Sequence, residues 1–182
     1  VSGGNGFESP LQNLFTTTDW VLTPQLARNL GLPSQGDGYR VYDAAGLPQR
    51  AGLLTHPGFV ANIGSTSFVG RGVILTERVL CREIQPPPPG IQNEIDQTAE
   101  ETLDYTPRQA SDYRFGLGGV CEACHSTFEP IAFAFEQFYV LGNYSVRDDQ
   151  GRNLFATGYL QTKSGGMGPS YQSAPELMQI LA

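Results

Sequence analysis

Histidine and cysteine are scarce in this chain: its 182 residues include two of the first and three of the second. With so few imidazoles, a Ser-His-Asp hydrolytic set is not expected. There is no phosphate-binding glycine loop and no internal repeat, and nothing pairs the acidic residues into a glycosidase-like site. No stretch approaches 18 consecutive apolar residues, so no membrane span is expected. Basic residues are the minority, 11 against 18 acidic, for a net charge of −7. That balance argues against nucleic acid and against an anionic membrane as partners. Val1-Ser2-Gly3-Gly4 offers neither a charged n-region nor an apolar h-region. The reading is of a processed chain or a fragment whose targeting segment lies upstream. What is plentiful is glycine, 22 residues, and proline, 13, which predicts many turns and long irregular connections. The 40% hydrophobic share suffices for the core of one domain, or of one domain and a fragment of another.

Against this background one run stands out, Cys121-Glu122-Ala123-Cys124-His125. Cys-x-x-Cys-His is the spacing of covalent c-type haem attachment. On a helix, positions three and four apart share a face, so both thiols and the imidazole can address one porphyrin. The thiols can form thioethers with the vinyl groups while His125 ligates the iron. Two alternatives use the same residues. A redox-active Cys-x-x-Cys would want a thioredoxin-like βαβ pattern, which is not present. A structural zinc would want four ligands, with Cys81 or His56 completing the set.

Along the chain, residues 1 to 8 read as a loose glycine-rich entry. Asp19 can cap a helix through Val21, Leu22, Leu26 and Leu30, closing at Gly31. Tyr39 to Tyr42 read as extended, with Gln49 to Leu54 as the returning strand. Thr55 is a candidate cap for a short helix through Phe59, Val60 and Ile63. Thr66 or Ser67 opens a longer one ending near Cys81. Pro86 to Pro89 cannot continue a helix and read as a stiff polyproline connector. Residues 92 to 104 read as a solvated loop or exposed helix, and Thr106-Pro107 starts a further helix. Gly116, Gly118 and Gly119 break the chain before Cys121 and let the backbone pass close to a flat cofactor. Phe128, Phe135 and Phe138 fall near one helical face, where they can wall a porphyrin or form ordinary core. Tyr144 to Gly158 read as a hairpin around Asp148-Asp149-Gln150-Gly151. Ser164 to Gly168 read as a flexible loop, and Ser173 caps a last helix. The fold class is therefore mainly α, with long irregular loops and small β-hairpins.

Three segments together resemble a known family: Arg50 to His56; Gly70-Arg71-Gly72 through Leu80 to the proline run; and Cys121 to Tyr144, which carries Cys-x-x-Cys-His, Glu-Pro-Ile-Ala-Phe-Ala-Phe-Glu-Gln-Phe and Leu-Gly-Asn-Tyr. They are similar to the cytochrome-like domains of uncharacterised function in large planctomycete-type multidomain proteins. The chain departs from that pattern at Glu129, Ala132, Tyr139 and Tyr144, none of them in the haem motif. The resemblance implies a c-type cytochrome-like domain over residues 49–182, with residues 1–48 belonging to the tail of a preceding helical domain or extension. It strengthens haem binding and says little about chemistry.

The expected cofactor is one covalent haem c, bound by Cys121, Cys124 and His125 and walled by Phe128 and Phe135. Arg71, in its Gly-Arg-Gly setting, is either a partner for a haem propionate or an exposed arginine. For the far side of the iron, His56 is favoured: it is the other histidine, and the resembled family tends to place a ligand-capable side chain in this stretch. Met167, in its glycine-rich loop, is the alternative. Either can instead be a residue with no ligand role. Cys81 is left as a free thiol, or pairs with a cysteine outside this chain. The expected function is an extracytoplasmic module, periplasmic or secreted, that passes electrons to a redox partner or within a larger parent protein. A haem enzyme or sensor with an open distal site, and a non-haem interaction domain with a structural Cys/His metal or disulfide site, are the rivals.

Overall fold

Prolines and hydroxyl side chains punctuate the chain, and most helices begin at one of them. The computed structural model describes residues 10–34, 36–63, 67–139 and 141–182. Residues 1 to 8 and Thr66, each given a role above, lie outside that set.

Helix α1 (Pro10–Thr16) leads into strand β1 (Asp19–Leu22). The helix expected from Asp19 is a strand for its first four residues. Trp20 and Leu22 point inward while Asp19 and Val21 point out, a period of two. Thr23 then starts α2 (Pro24–Asn29), its hydroxyl accepting from the Leu26 amide at 3.2 Å. Strand β2 (Arg40–Asp43) pairs antiparallel with β1, setting Trp20 opposite Tyr42. Residues 49–54 are therefore not the partner strand. Gln49 takes a positive φ of 59°, incompatible with an extended run, and a 3-10 turn follows at Leu53–Thr55. Trp20, Leu22, Ala27, Tyr42 and Ala44 form a small core of their own.

Thr55 is buried and does not cap. Its hydroxyl accepts from Ala51 N at 2.7 Å and donates to Ala51 O at 2.6 Å. His56 caps α3 (Pro57–Asn62) instead. Ser67 precedes α4 (Phe68–Arg78), which stops before Cys81. The exposed proline run leads to α5 (Gln92–Glu101), which buries none of its residues. Thr106 and Gln109 form a reciprocal capping box at α6 (Pro107–Gly116). Gly118 and Gly119, at φ of 65° and 55°, make the left-handed turn into α7 (Gly119–His125). A short α8 (Glu129–Ala132) and a 3-10 turn over Phe133–Phe135 follow.

The hairpin around Asp148–Gly151 is reduced to one bridge, Arg147 with Asn153, and a separate bridge joins Phe138 to Tyr144. The loop expected at Ser164–Gly168 is shorter than expected. Met167 and Gly168 already belong to β4 (Met167–Tyr171), antiparallel to β3 (Gly158–Gln161). Ser173 caps the last helix α9 (Ala174–Leu181), accepting from Glu176 N at 3.2 Å. Among the described residues the architecture is thus mainly α with two small antiparallel hairpins. Its main core joins Phe15, Leu54, Val60, Leu75, Ile131, Phe135, Phe138, Tyr171, Leu177 and Met178. Among the described residues, no helix is long and apolar enough to cross a membrane.

Candidate functional site: a thiol, thiol and imidazole groove

The Cys-x-x-Cys-His run forms α7, as its spacing requires, and Cys121, Cys124 and His125 face a single groove of about 590 Å³. That lies within the 300–1,000 Å³ typical of cofactor clefts. Phe68, Val69 and Val73 of α4 form one wall, and Ile95, Thr98, Ala99 and Thr102 of α5 another. Ile84, Pro87, Leu103, Tyr105 and Phe128 complete a lining that is mostly apolar. Both thiols are free and half-buried. Burial, with Cys121 and Glu129 nearby, pushes the Cys124 thiol up from its ordinary pKa.

The imidazole is held from behind. His125 Nδ1 lies 2.7 Å from Glu129 Oε1. Arg114 of α6 donates to the same oxygen from Nε at 2.8 Å, and its Nη2 stands in ion-pair contact with that oxygen at 2.8 Å. The Glu129 side chain is 0% exposed and that of Arg114 only 12%. Burial alone would raise the Glu129 pKa. The bonds from His125 and Arg114 outweigh it and hold the carboxyl below its ordinary range. An ionised carboxylate accepts only, so Nδ1 is the donor and Nε2 is the ring nitrogen turned toward the groove for a metal. A metal-binding histidine needs that second-sphere arrangement. Among the described residues, no group of three or more His, Cys, Asp or Glu is placed to hold a bare metal ion.

Phe128 belongs to the groove, its ring centroid 5.2 Å from that of His125. Phe135 does not; it packs in the main core against Phe138. Arg71 is fully buried and away from the groove. Its guanidinium donates to the carbonyls of Phe135 and Phe138, tying α4 to the turn after α8, so both ends of the fork are already engaged. Burial lowers its pKa to about 10. His56 stands edge-on to Trp20 at 5.2 Å and accepts from Gly58 N through Nδ1 at 3.1 Å. It borders a separate small cavity with Leu14, Val21 and Leu53. Met167 is 74% exposed on β4.

Sequence reasoning missed two residues, Glu129 and Arg114. The spacing of four between His125 and Glu129 was a usable signal. Arg114 gave none, since its role depends on how α6 packs on α7.

The fold and groove define a mainly α module that presents two thiols and an oriented imidazole to one apolar cleft. The chain belongs to the PSCyt3 family, described as a protein of unknown function (DUF1588), whose model matches residues 50–148, more than half of the chain. The family's name points to a cytochrome-like domain. No curated protein and no solved structure matches the chain.

Proposed function

We propose that this chain is a c-type haem module that carries one covalent haem and exchanges single electrons with a redox partner or within a larger multidomain protein. The observation that carries the reading is the convergence of two free thiols and a carboxylate-held imidazole on one apolar groove. In attachment, each S–H adds across a vinyl C=C, so that sulfur bonds to one carbon and hydrogen goes to the other. No net oxidation occurs. Once bound, haem supplies one-electron chemistry at iron. Cys121 and Cys124 fix the ring, His125 offers Nε2, and Glu129 and Arg114 keep that nitrogen aimed. Phe128, Val73 and the α5 side chains that line the groove would shield a bound haem from water. Haem c is attached outside the cytoplasm, so the reading puts the protein in the periplasm or beyond. A net charge of −7 suits a basic redox partner.

The test is the intact mass of the chain matured in a host with a haem c assembly system. One haem added, resistant to acid-acetone extraction and lost in the Cys121→Ser, Cys124→Ser double variant, supports the reading. Colourless protein with stoichiometric zinc would instead select a structural metal site.

A further inference from the structure

We infer that the groove supplies no sixth ligand to the iron, so that this position is filled from outside the chain by a diatomic molecule or a small anion such as cyanide or azide. This deepens the haem reading and rests on it. The argument is an inventory. An imidazole or a thioether saturates haem iron, and the chain holds two histidines and two methionines in all. His125 is the groove's own imidazole. His56 is engaged elsewhere: it caps α3 through Nδ1, stands against Trp20 and lines a different cavity. Met178, on α9, is fully buried in the main core. Met167 projects into solvent from β4, on a hairpin that contributes nothing to the groove. The chain's one lysine, Lys163, is exposed in the turn of that hairpin.

The groove's own walls add no imidazole or thioether to the inventory, Ser67 and Gln85 bringing only a neutral hydroxyl and a neutral amide. Val73, Ile84, Ile95, Ala99 and Leu103 carry no donor atom. Thr98 donates its hydroxyl to Glu94 O at 2.7 Å, and Thr102, just past α5, donates to Thr98 O at 2.8 Å; a neutral alcohol oxygen of this kind does not saturate haem iron as an imidazole or thioether does. Tyr105 is the lining side chain whose oxygen could compete for ferric iron, and its ring is packed edge-on against Tyr113.

The side that does bind points the same way. A histidine hydrogen-bonded to a buried, Arg-paired carboxylate is a stronger donor than one bonded to a neutral carbonyl. A strong donor on one side and an apolar wall on the other leave the iron reactive toward small exogenous ligands. A purely electron-carrying site closes both positions.

The experiment uses the full chain, first shown by mass to carry one covalent haem. Absorption and electron paramagnetic resonance spectra of the resting protein are expected to report high-spin ferric iron. Carbon monoxide added after dithionite reduction, and cyanide added to the ferric form, are each expected to shift the Soret band at once. His56→Ala and Met167→Leu are expected to leave the resting spectra and these shifts unchanged. Low-spin iron in both oxidation states with no response to carbon monoxide overturns the inference. So does conversion to high spin by either His56→Ala or Met167→Leu, or loss of a phenolate-to-iron band in Tyr105→Phe. In each of those cases the covalent haem reading survives. Absence of the haem adduct in the initial mass measurement overturns both.

Discussion

Replacing Glu129 by glutamine tests the support behind the groove with almost no change of shape. The side chain is 0% exposed, and its Oε1 receives Arg114 Nε, Arg114 Nη2 and His125 Nδ1. Glutamine keeps the volume and one acceptor oxygen but removes the charge. Arg114 is then left as an uncompensated cation with 12% of its side chain in solvent. Breaking one partner of a buried pair costs about 3–5 kcal/mol, and the residual exposure of Arg114 favours the lower end, about 3 kcal/mol. At this chain length each kcal/mol moves the midpoint by about 2–4 °C, so Tm should fall by about 6–12 °C. Urea denaturation and calorimetry measure it. The double variant Arg114→Met, Glu129→Gln removes both charges and should cost less than Glu129→Gln alone. The pH dependence has a definite sign. The folded-state pKa of Glu129 is below its unfolded value of about 4.3. Its contribution is therefore present above that value and lost as pH falls through the folded pKa. The stability gap between wild type and Glu129→Gln should close on acidification. A cost within about 0.5 kcal/mol of zero at neutral pH, or a gap that widens in acid, would refute the reasoning.

Two further substitutions probe the frame that carries the groove. Arg71→Met leaves the Phe135 and Phe138 carbonyls without their buried donor, at about 1–3 kcal/mol each. Arg71→Lys should rescue it only in part, because one ammonium cannot reproduce the fork. Urea midpoints measure both. An unchanged haem spectrum in the folded fraction would separate this clamp from a propionate contact. Gly72→Ala would drive a Cβ into the Phe128 carbonyl oxygen, against backbone that cannot yield freely. Forcing α4 off α8 should cost about 1–3 kcal/mol by overpacking. A calorimetric midpoint equal to wild type would refute that close approach.

The sequence announced those elements whose signals are local. Thr106-Pro107 with Gln109 three positions on from the threonine, Ser173 before Ala174-Pro175, and Cys121 to His125 on one helix each lie within a single turn. It misled where a decision depended on a distant partner. Asp19 to Leu22 satisfies a helical cap-and-stripe pattern as well as a strand pattern. Only pairing with Arg40–Asp43 and burial of Trp20 against Tyr42 decide for the strand. Arg71 drew attention through its flanking glycines, and position 72 does need glycine, but to admit Phe128. The guanidinium serves the two carbonyls beyond α8, about 65 residues on, a relation no spacing rule encodes.

The most conspicuous motif in the sequence sits on an element that cannot hold its own shape in the structure. Helix α7 has seven residues and buries none of them. A helix that short does not persist alone in water, because nucleation outweighs the few bonds it closes. Its placement is imposed by the left-handed turn at Gly118 and Gly119 from α6 and by the junction at Glu129. At that junction three elements, α6 through Arg114, α7 through His125 and α8 through Glu129, meet on a single carboxylate oxygen. The same contact therefore fixes where α7 lies and which imidazole nitrogen is free. Because position and tautomer share one bond, loss of the Glu129 charge should damage stability and imidazole donor strength together. A structural salt bridge remote from the groove would separate the two effects.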